Sequence, residues 1–469
     1  MVVGDIATGT DLVVIGAGPG GYSAAIRAAQ EGQDVVLIDK EKIGGTCLNR
    51  GCIPAKAFIH ASKFHDDIQH WNRIGIKAEC EHIDFQEIKE WKDEIVEKLD
   101  SGVERMLEHE NVEYKKGEAK FIDSNSIRVE EEHRTDKIEF EKAIIATGSS
   151  PVELSGLEFD REKVISSREL LNLEEVPDEI VVVGGGYIGM EAVTKFSKFG
   201  ATVKVIEARD RVLANFDEEI VNQLQEVSDH YRDEIYTSAK AQGVRYEDDK
   251  AVLVADQEGE KLEIEGDYIL VAAGRTTRPN LKSLELDSTN VEVENGFVQT
   301  DRQMRTTDEN IFAVGDVVGR PMLAHKAYRE GKVAAEVISG KKSAFDNQYI
   351  PKAMYTDPEV ATVGLNAEKA REEYEDLRIG RFPFTASGRA LTTTKTDGFI
   401  RVVARDDGKL LGAQIVGPRA SDMIAEAALA LEMQAYLGDV AHTIHAHPTF
   451  PEALSEACED ALDESVHTY

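Results

Sequence analysis

The chain carries the same short pattern of glycines twice. Residues 12–15 and 180–183 are β-prone runs, and each opens onto a Gly-x-Gly-x-x-Gly segment that is followed by a helix-compatible stretch. A second β-prone run then ends in an acid, Asp39 or Glu207, 23 residues after the first glycine in both copies. The glycines are Gly16, Gly18 and Gly21 in the first copy and Gly184, Gly186 and Gly189 in the second. This order of strand, glycine turn, helix and strand predicts two β-α-β modules in an α/β fold.

Each residue type in the repeat has a physical use. The first glycine permits a tight turn, the second lets the backbone approach a pyrophosphate, and the third lets the helix pack closely on the strand. The helix N-terminus then faces the phosphates, and the acid accepts a hydrogen bond from a ribose hydroxyl. Two plain β–α turns are the alternative, but they would not need acids at equal distances. We therefore expect two dinucleotide sites.

Composition limits the other possibilities. A length of 469 residues suggests about three domains, and 42% hydrophobic residues are enough for sizeable cores. The formal net charge of −34 argues against nucleic acid or an anionic membrane as a partner. The sequence has no apolar run that predicts a transmembrane helix, and residues 1–11 lack the basic region of a signal peptide. Four cysteines are too few for a disulfide framework, so we expect a cytoplasmic protein.

The regions beside the two modules have their own patterns. Residues 85–110 predict an amphipathic helix whose apolar face packs into the core. The apolar residues of that face are Ile88, Trp91, Ile95, Leu99, Val103 and Met106. From about residue 349, β-prone stretches at 398–405 and 410–417 precede a helical stretch at 420–437. This change predicts a separate C-terminal α+β domain.

Two cysteines, Cys47 and Cys52, lie soon after the first module, with Lys56 close behind. Metal sites more often use a C-x-x-C pair together with a second pair, and no second pair exists here. A helix N-terminus and a nearby lysine favour the thiolate form, which is the reactive one. A catalytic pair is therefore the preferred interpretation, and two unrelated buried thiols are the alternative.

The C-terminal segment contains His442, His445 and His447, with Glu452 five residues after the last histidine. A metal site is one interpretation, but these spacings do not put the three side chains on one face. Ordinary core or turn histidines are a second. We favour acid–base catalysis over both, and we predict no metal site.

Residues 44–56, Gly-Gly-Thr-Cys-Leu-Asn-Arg-Gly-Cys-Ile-Pro-Ala-Lys, resemble the redox-active disulfide segment of the flavoprotein pyridine-nucleotide disulfide oxidoreductases. The resemblance extends over essentially the whole chain, through Ala-Thr-Gly at 146–148, Gly-Asp at 315–316 and His-Pro at 447–448. It implies an enzyme in which a Cys47–Cys52 disulfide and bound FAD pass two electrons from dihydrolipoyl groups to NAD. Its partners would be a second copy of the chain and a lipoyl-bearing protein of a 2-oxoacid dehydrogenase or glycine-cleavage system.

The resemblance also implies a role for individual residues. The implied catalytic residues are Cys47, Cys52, His447 and Glu452. The His447–Glu452 pair would reach the disulfide of the other subunit, and His445 would lie behind this pair. The residues implied for FAD are Gly16, Gly18, Gly21, Asp39, Thr46, Lys56, Ala119, Thr147, Gly148, Glu191, Asp316 and Ala324. Those implied for NAD are Gly184, Gly186, Gly189, Glu207 and Gly274. The implied domains are FAD-binding at 1–149, NAD-binding at 150–275, a central part of the FAD-binding unit at 276–348, and dimerisation at 349–469.

The choice of NAD over NADP depends on Glu207, whose carboxylate would repel a 2′-phosphate. Arg209 and Arg211 follow it, so the region is not free of positive charge. The alternatives are a glutathione-reductase-like enzyme, which would prefer arginine at 207, a mercuric-reductase-like enzyme, which would need a cysteine pair near residue 469, and a non-catalytic flavoprotein. One departure from the family pattern is the run from Gly274 to Asn280, which is two residues longer than Gly-Arg-x-Pro-Asn.

We expect the acidic surface to require salt. A net charge of −34 repels itself at low ionic strength, and molar salt shortens the Debye length to about 3 Å and removes that penalty. The melting temperature should therefore rise between about 0.1 M and 2 M KCl. A thermal melt at both concentrations measures this, and an unchanged melting temperature would show an acidic but ordinary surface.

Overall fold

The computed structural model describes residues 8–227 and 235–468. The chain has a mixed α/β fold with two nucleotide-binding-like units and a C-terminal α+β unit, which confirms the predicted fold class. No helix in the described ranges is long and apolar enough to cross a membrane.

Residues 8–151 contain seven strands and four helices. They are β1 (Thr8–Ile15), α1 (Pro19–Gln30), β2 (Val35–Asp39), α2 (Gly45–Arg50), α3 (Cys52–His70), α4 (Phe85–His109), β3 (Glu113–Lys116), β4 (Glu118–Asp123), β5 (Ser126–Glu130), β6 (Thr135–Ile145) and β7 (Ser150–Pro151). A 3₁₀ turn follows α3 at Trp71–Ile74.

The next part of the chain contains the second glycine repeat. Its elements are β8 (Val164–Ile165), α5 (Ser167–Leu170), β9 (Glu179–Val183), α6 (Tyr187–Phe199), β10 (Thr202–Ile206), α7 (Glu218–Val227), β11 (Ile235–Tyr236), β12 (Ala239–Glu247), β13 (Lys250–Gln257), β14 (Glu260–Gly266), β15 (Tyr268–Val271) and β16 (Arg275–Thr276).

The chain then returns to the first unit and ends in the C-terminal unit. The returning elements are α8 (Arg278–Lys282), β17 (Val293–Glu294), β18 (Phe297–Val298), β19 (Ile311–Ala313) and α9 (Ala324–Ile338). The C-terminal elements are β20 (Lys352–Met354), β21 (Glu359–Gly364), α10 (Ala367–Glu373), β22 (Leu377–Pro383), α11 (Gly388–Thr393), β23 (Phe399–Arg405), β24 (Leu410–Gly417), α12 (Ala420–Glu432), α13 (Leu437–Ala441) and α14 (Glu452–Ala461). Further 3₁₀ turns lie at Leu286–Ser288, Gly315–Val318 and Phe384–Ala386.

The two glycine repeats form two parallel sheets. In the first unit β3, β2, β1, β6 and β19 lie parallel in that order, and β4 and β5 continue antiparallel from the first half of β6. In the second unit β11, β10, β9, β15 and β8 are all parallel. Both faces of such sheets are covered, which explains why the runs before the glycines are apolar throughout rather than alternating.

The two crossings between the units lie side by side. Strand β7 leaves the first unit, β16 returns from the second, and the two pair antiparallel with Arg275 opposite Pro151. The C-terminal unit is an antiparallel sheet in the order β20, β21, β24, β23, β22.

The three units meet in one shared hydrophobic cluster. Phe58 of α3, Phe196 of α6, and Phe399 and Val416 of the C-terminal sheet are all buried in the same cluster. Helix α3 therefore packs against α6 and the C-terminal sheet at once, and this fixes the position of the residues at its N-terminus.

Helix α4 forms where predicted, capped by Asp84, whose carboxylate accepts from the Glu87 amide at 3.0 Å. The predicted core face is wrong in part: the side chains of Trp91, Leu99 and Met106 are exposed. Val103 is buried as predicted, but the other buried residues of the helix, Phe85, Lys92 and Leu107, do not belong to the predicted face. The apolar period was read correctly, but tertiary packing selected a neighbouring face of the helix.

Candidate active site

The first glycine turn joins β1 to α1 and is tightly packed on one side only. A Cβ atom at Gly16 would lie 2.4 Å from the Ala146 carbonyl oxygen, and one at Gly21 would lie 1.7 Å from the Gly16 oxygen. Gly16 also has a φ of +105°, which side chains rarely adopt. A Cβ atom at Gly18 would meet nothing within 4 Å. The open side of the turn is therefore the side on which a ligand can approach the backbone.

The second turn, between β9 and α6, repeats this geometry. A Cβ atom would lie 2.6 Å from the Ala272 oxygen at Gly184 and 2.1 Å from the Gly184 oxygen at Gly189, whereas Gly186 is open. Gly274, with a φ of +118°, ends the loop that follows β15 in the same unit. The second turn thus has the same closed and open sides as the first.

The acid at the end of the second strand contacts its glycine turn in both copies. Asp39 accepts from the Ala17 amide at 2.6 Å, and Glu207 accepts from the Gly185 amide at 2.7 Å. Burial raises the pKa of Asp39 despite its hydrogen bond from Ala17. Each acid therefore lies beside the turn, at the edge where a ribose attached to the bound phosphates would come.

The cysteines lie at the junction of two helices. Cys47 is within α2 and Cys52 begins α3. Gly45, with a φ of +58°, packs so closely that a Cβ atom would lie 2.6 Å from the Gly18 Cα. The cysteine segment is thereby pressed against the first glycine turn.

The two thiols differ in acidity. Both are free thiols in this structure. The neighbouring Cys47 thiol lowers the pKa of Cys52, burial opposes the shift, and the Lys56 ammonium adds to it. The neighbouring Cys52 thiol and burial raise the pKa of Cys47. Cys52 is therefore the better thiolate of the pair.

Lys56, one turn after Cys52 in α3, forms an ion pair with Glu191 of α6. Its Nζ lies 2.8 and 2.9 Å from the two carboxylate oxygens, and the Tyr355 amide donates to the same carboxylate at 3.1 Å. The ammonium also lies 4.4 Å from the centroid of the Tyr355 ring. Burial would lower the pKa of Lys56, but the Glu191 carboxylate more than offsets this and the pKa is raised.

These groups line one cavity of about 390 Å³. Nearly all the residues predicted for FAD lie on its wall together with both cysteines: Gly16, Gly18, Asp39, Thr46, Cys47, Cys52, Lys56, Ala119, Thr147, Gly148, Glu191, Asp316 and Ala324. Gly21 lies behind the turn, packed on Gly16. The Thr147 hydroxyl is buried and has no hydrogen-bond partner among the described residues. A cavity with an open glycine turn and an unsatisfied hydroxyl fits a bound dinucleotide such as FAD.

The residues predicted for NAD lie elsewhere. Gly184, Gly186, Gly189, Glu207 and Gly274 do not line this cavity. However, Tyr187 and Ile188, which begin α6 directly after the second turn, do line it. The N-terminus of α6 therefore reaches the wall of this cavity.

The predicted catalytic pair of His447 and Glu452 lies apart from this cavity. His447 Nδ1 is 2.7 Å from Glu452 Oε1, and the His447 side chain is 80% exposed. The neighbouring histidines contact other carboxylates, with His445 Nε2 2.8 Å from Glu426 and His442 Nε2 3.5 Å from Glu464. The three imidazoles are thus paired separately and do not converge on one point.

Known proteins match over the whole described architecture. Residues 10–331 match the model of the pyridine nucleotide-disulphide oxidoreductases, and residues 350–458 match the dimerisation domain of that family. The chain belongs to this family. Dihydrolipoyl dehydrogenases from Halobacterium salinarum and Geobacillus stearothermophilus are 47% and 46% identical, over 100% of this chain and 99% of each relative. The crystal structure of LpdA from Mycobacterium tuberculosis matches with a TM-score of 0.89 at 26% identity, covering 96% of this chain and 99% of that one.

As a pyridine nucleotide-disulphide oxidoreductase, the protein uses FAD and NAD. The match to a dimerisation domain also supports a homodimer.

Several groups at the oxidoreductase cavity were not predicted from the sequence. Arg275 donates to the Ser149 hydroxyl at 2.7 Å, and Ser149 in turn donates to Asp316. Asn280 donates to the Thr147 carbonyl at 2.7 Å. The longer run from Gly274 to Asn280 thus folds back onto the Thr147 loop, which gives the path of the chain there. The sequence feature that could have identified Arg275 and Asn280 is the Gly-Arg and Pro-Asn pairs in this run.

Glu330 and Lys326, which the sequence analysis did not predict either, hold the turn that carries Asp316. Glu330 of α9 is 2% exposed and accepts from the Gly315 amide at 2.8 Å. Lys326, one turn earlier, lies 2.9 Å from Glu330 and also donates to the Gly315 carbonyl at 3.3 Å. No motif in the sequence distinguished this pair from a surface i, i+4 ion pair.

We predict that Gly21→Ala and Gly18→Ala fail in different ways. The Gly21 methyl would collide with backbone, so this variant should lose stability and express poorly, whereas the Gly18 methyl meets no protein atom. Gly18→Ala should therefore fold but hold FAD at least about tenfold more weakly, because its methyl would lie on the open side of the turn, where the pyrophosphate would bind.

Thermal melts of the apoproteins and titration with FAD separate the two effects. Equal melting temperatures for the two alanine variants would contradict the assigned closed and open sides of the turn.

Proposed function

We infer that the protein is an NAD-dependent dihydrolipoyl dehydrogenase, the component that reoxidises protein-bound dihydrolipoyl groups in a 2-oxoacid dehydrogenase or glycine-cleavage system. The observation that carries this inference is the meeting of Cys47, Cys52 and the Lys56–Glu191 pair on one cavity between two dinucleotide turns. The full-length identity to dihydrolipoyl dehydrogenases supports the substrate class.

The acidities of the two cysteines support a division of labour. A substrate thiolate attacks Cys47 Sγ of the Cys47–Cys52 disulfide and displaces Cys52 as a thiolate, because the thiol of lower pKa is the better leaving group. The second substrate thiol then attacks the substrate sulfur in the mixed disulfide, which releases Cys47 and leaves the lipoyl group as a cyclic disulfide. The lipoyl dithiol is oxidised by two electrons, and the protein disulfide is reduced by two. Bound FAD supplies a two-electron acceptor that links this dithiol to NAD.

The substrate thiols must lose their protons before they can attack. We assign this step to His447 of the partner subunit, acting through Nε2 because Nδ1 is held by Glu452. The Glu452 carboxylate is itself fixed by the Thr449 amide at 2.5 Å, so the imidazole is oriented from behind. His445, held by Glu426, supports the same loop.

The two dinucleotides are assigned to the two glycine turns. FAD would lie along Gly16, Gly18, Gly21 and Asp39, with the Lys56–Glu191 pair at its redox-active end. Thr46, Ala119, Thr147, Gly148, Asp316 and Ala324 would complete its site. NAD would bind at Gly184, Gly186, Gly189, Glu207 and Gly274. The proposed domain limits are 1–149, 150–275, 276–348 and 349–469, and we place the protein in a salt-rich cytoplasm, on the basis of its net charge of −34.

A steady-state assay tests the proposal directly. Dihydrolipoamide and glutathione are each compared with NAD and NADP as the coupled nicotinamide. We expect turnover with dihydrolipoamide and NAD. Preference for glutathione with NADP would instead identify a glutathione-reductase-like enzyme, and no turnover with any pair would favour a non-catalytic flavoprotein.

Glu207→Arg should move the cofactor preference toward NADP. The carboxylate that repels a 2′-phosphate would become a cation that attracts it, so kcat/KM for NAD should fall while that for NADP rises. The ratio of the two kcat/KM values is the measurement, and Glu247→Arg, on an exposed edge of the same unit, is the control for added charge. An unmoved ratio would mean that Glu207 does not face the ribose.

His447→Gln should reduce dihydrolipoamide oxidation by at least about a hundredfold, since positioned general bases contribute about 10²–10⁴-fold. The oxidation of NADH by an artificial one-electron acceptor should survive, because it requires no thiol deprotonation. Loss of both activities would indicate damage to folding or to the dimer, and loss of neither would make His447 structural.

Mixed dimers separate a base supplied in trans from one supplied in cis. The homodimers of His447→Gln and of Cys47→Ser should each have little or no activity. A mixed dimer of the two variants contains one intact site if the base comes from the partner subunit. Activity should therefore reappear when the two variants are unfolded, mixed and refolded, and its absence would contradict the shared site.

A further inference from the structure

Helix α6 presents three residues to the FAD cavity at intervals of four. Tyr187, Glu191 and Lys195 all line its wall, since residues four apart lie on the same face of a helix. Glu191 forms the ion pair with Lys56, and Tyr187 begins α6 at the second turn. Among the described residues Lys195 has no polar partner there, although only 4% of its surface is exposed.

Lys195 differs from the other buried lysines of the described chain. Lys198, one turn further along α6, lies 2.9 Å from Asp357 and also contacts Asp66. Lys92 donates to the Leu171 carbonyl at 3.2 Å, and Lys326 pairs with Glu330 at 2.9 Å. Within residues 8–227 and 235–468, by contrast, no hydrogen bond or ion pair is formed by Lys195.

The charges around Lys195 do not balance. The Glu191 carboxylate is one turn away, but both of its oxygens are taken by Lys56 at 2.8 and 2.9 Å. Two ammonium groups therefore share one carboxylate, which leaves a net positive charge in a buried place. Burial lowers the pKa of Lys195 to about 8, with Glu191 opposing the shift and Lys56 adding to it. Lys195 is thus still mostly protonated at neutral pH.

A buried charge without a partner costs stability and is retained where a ligand compensates it. FAD is the group that this cavity fits, and in the proposed assignment the Lys56–Glu191 pair would lie at its redox-active end. A flavin that gains two electrons and one proton acquires one negative charge on its ring system, so a nearby cation favours the reduced form.

We propose that Lys195 is a tuning residue of the FAD site, a second cation behind the Lys56–Glu191 pair that raises the reduction potential of the bound flavin. It acts through charge across the cavity wall and needs no direct part in thiol or hydride chemistry. The proposal depends on the FAD site and is independent of the dihydrolipoyl substrate.

The test measures the flavin alone. In a Cys47→Ser/Cys52→Ser background the disulfide cannot accept electrons, so a dye-coupled titration at pH 7 reports the midpoint potential of the flavin. Adding Lys195→Met should favour the oxidised form at least about tenfold, which for a two-electron couple is a shift of about 30 mV to lower potential. Lys195→Arg, which keeps the charge, should leave the potential close to that of the background.

Lys92→Met is the matched control, because Lys92 is also buried but donates a hydrogen bond to the carbonyl of Leu171, a residue of the cavity wall. It should leave the potential unchanged. An unchanged potential in Lys195→Met, or an equal shift in Lys92→Met, would overturn the proposal. Should Lys195→Met fail to retain FAD, Lys195→Gln is measured in its place with the same expected shift.

The melting temperature of the FAD-free protein gives a second reading. Replacing an uncompensated buried charge with an apolar side chain should raise it. A lower melting temperature in Lys195→Met would mean that the ammonium has a structural partner, and this too would overturn the proposal.

Discussion

The ion pair between Lys56 and Glu191 joins every part of this molecule that takes part in its chemistry. Lys56 belongs to the helix that begins at Cys52, Glu191 belongs to the helix that follows the second glycine turn, and the Tyr355 amide brings in the C-terminal unit. A charged pair at such a junction is costly to bury unless all its hydrogen-bonding capacity is used. Here the carboxylate accepts from the ammonium and from an amide, and the ammonium lies over an aromatic ring.

The shared core around this pair keeps it in place. Phe58, Phe196 and Phe399 come from three different units and pack in one cluster. Arg401 adds a polar tie, because its guanidinium binds Gln414 beside it and reaches Asp217 and Glu219 of the second unit. The thiols, the flavin cavity and the second dinucleotide turn are thus held by side chains that no single unit supplies. The site is a property of the assembled chain rather than of either module.

The sequence predicted those features that depend on local backbone constraints. The positions of Gly16, Asp39, Gly184 and Glu207 follow from the geometry of a β-α-β turn, and the structure has the same acid-to-turn contact in both copies. The segment that contains the two cysteines was equally specific. These features are encoded within some 25 residues of chain, so that a pattern in the sequence is enough to find them.

What could not be predicted depends on contacts between distant segments. The prediction for the inward face of α4 is wrong in part, because Trp91, Leu99 and Met106 recur with a helical period but lie on an exposed face. The bonds from Arg275 and Asn280 to the Thr147 loop join residues about 130 positions apart. Lys195 reads in the sequence as an ordinary helical lysine, and only the fold reveals that it is buried beside a carboxylate already in use.

The contact between Gly45 and Gly18 has an evolutionary consequence. The first glycine turn and the cysteine segment meet backbone to backbone, at a place where a Cβ atom on Gly45 would lie only 2.6 Å from the Gly18 Cα. Neither segment can drift alone, because any residue larger than glycine at 45 displaces the turn that receives the flavin. The redox centre and the cofactor cradle are therefore inherited as one unit, and a lineage that abandons the cysteines still has to keep the glycine beside them.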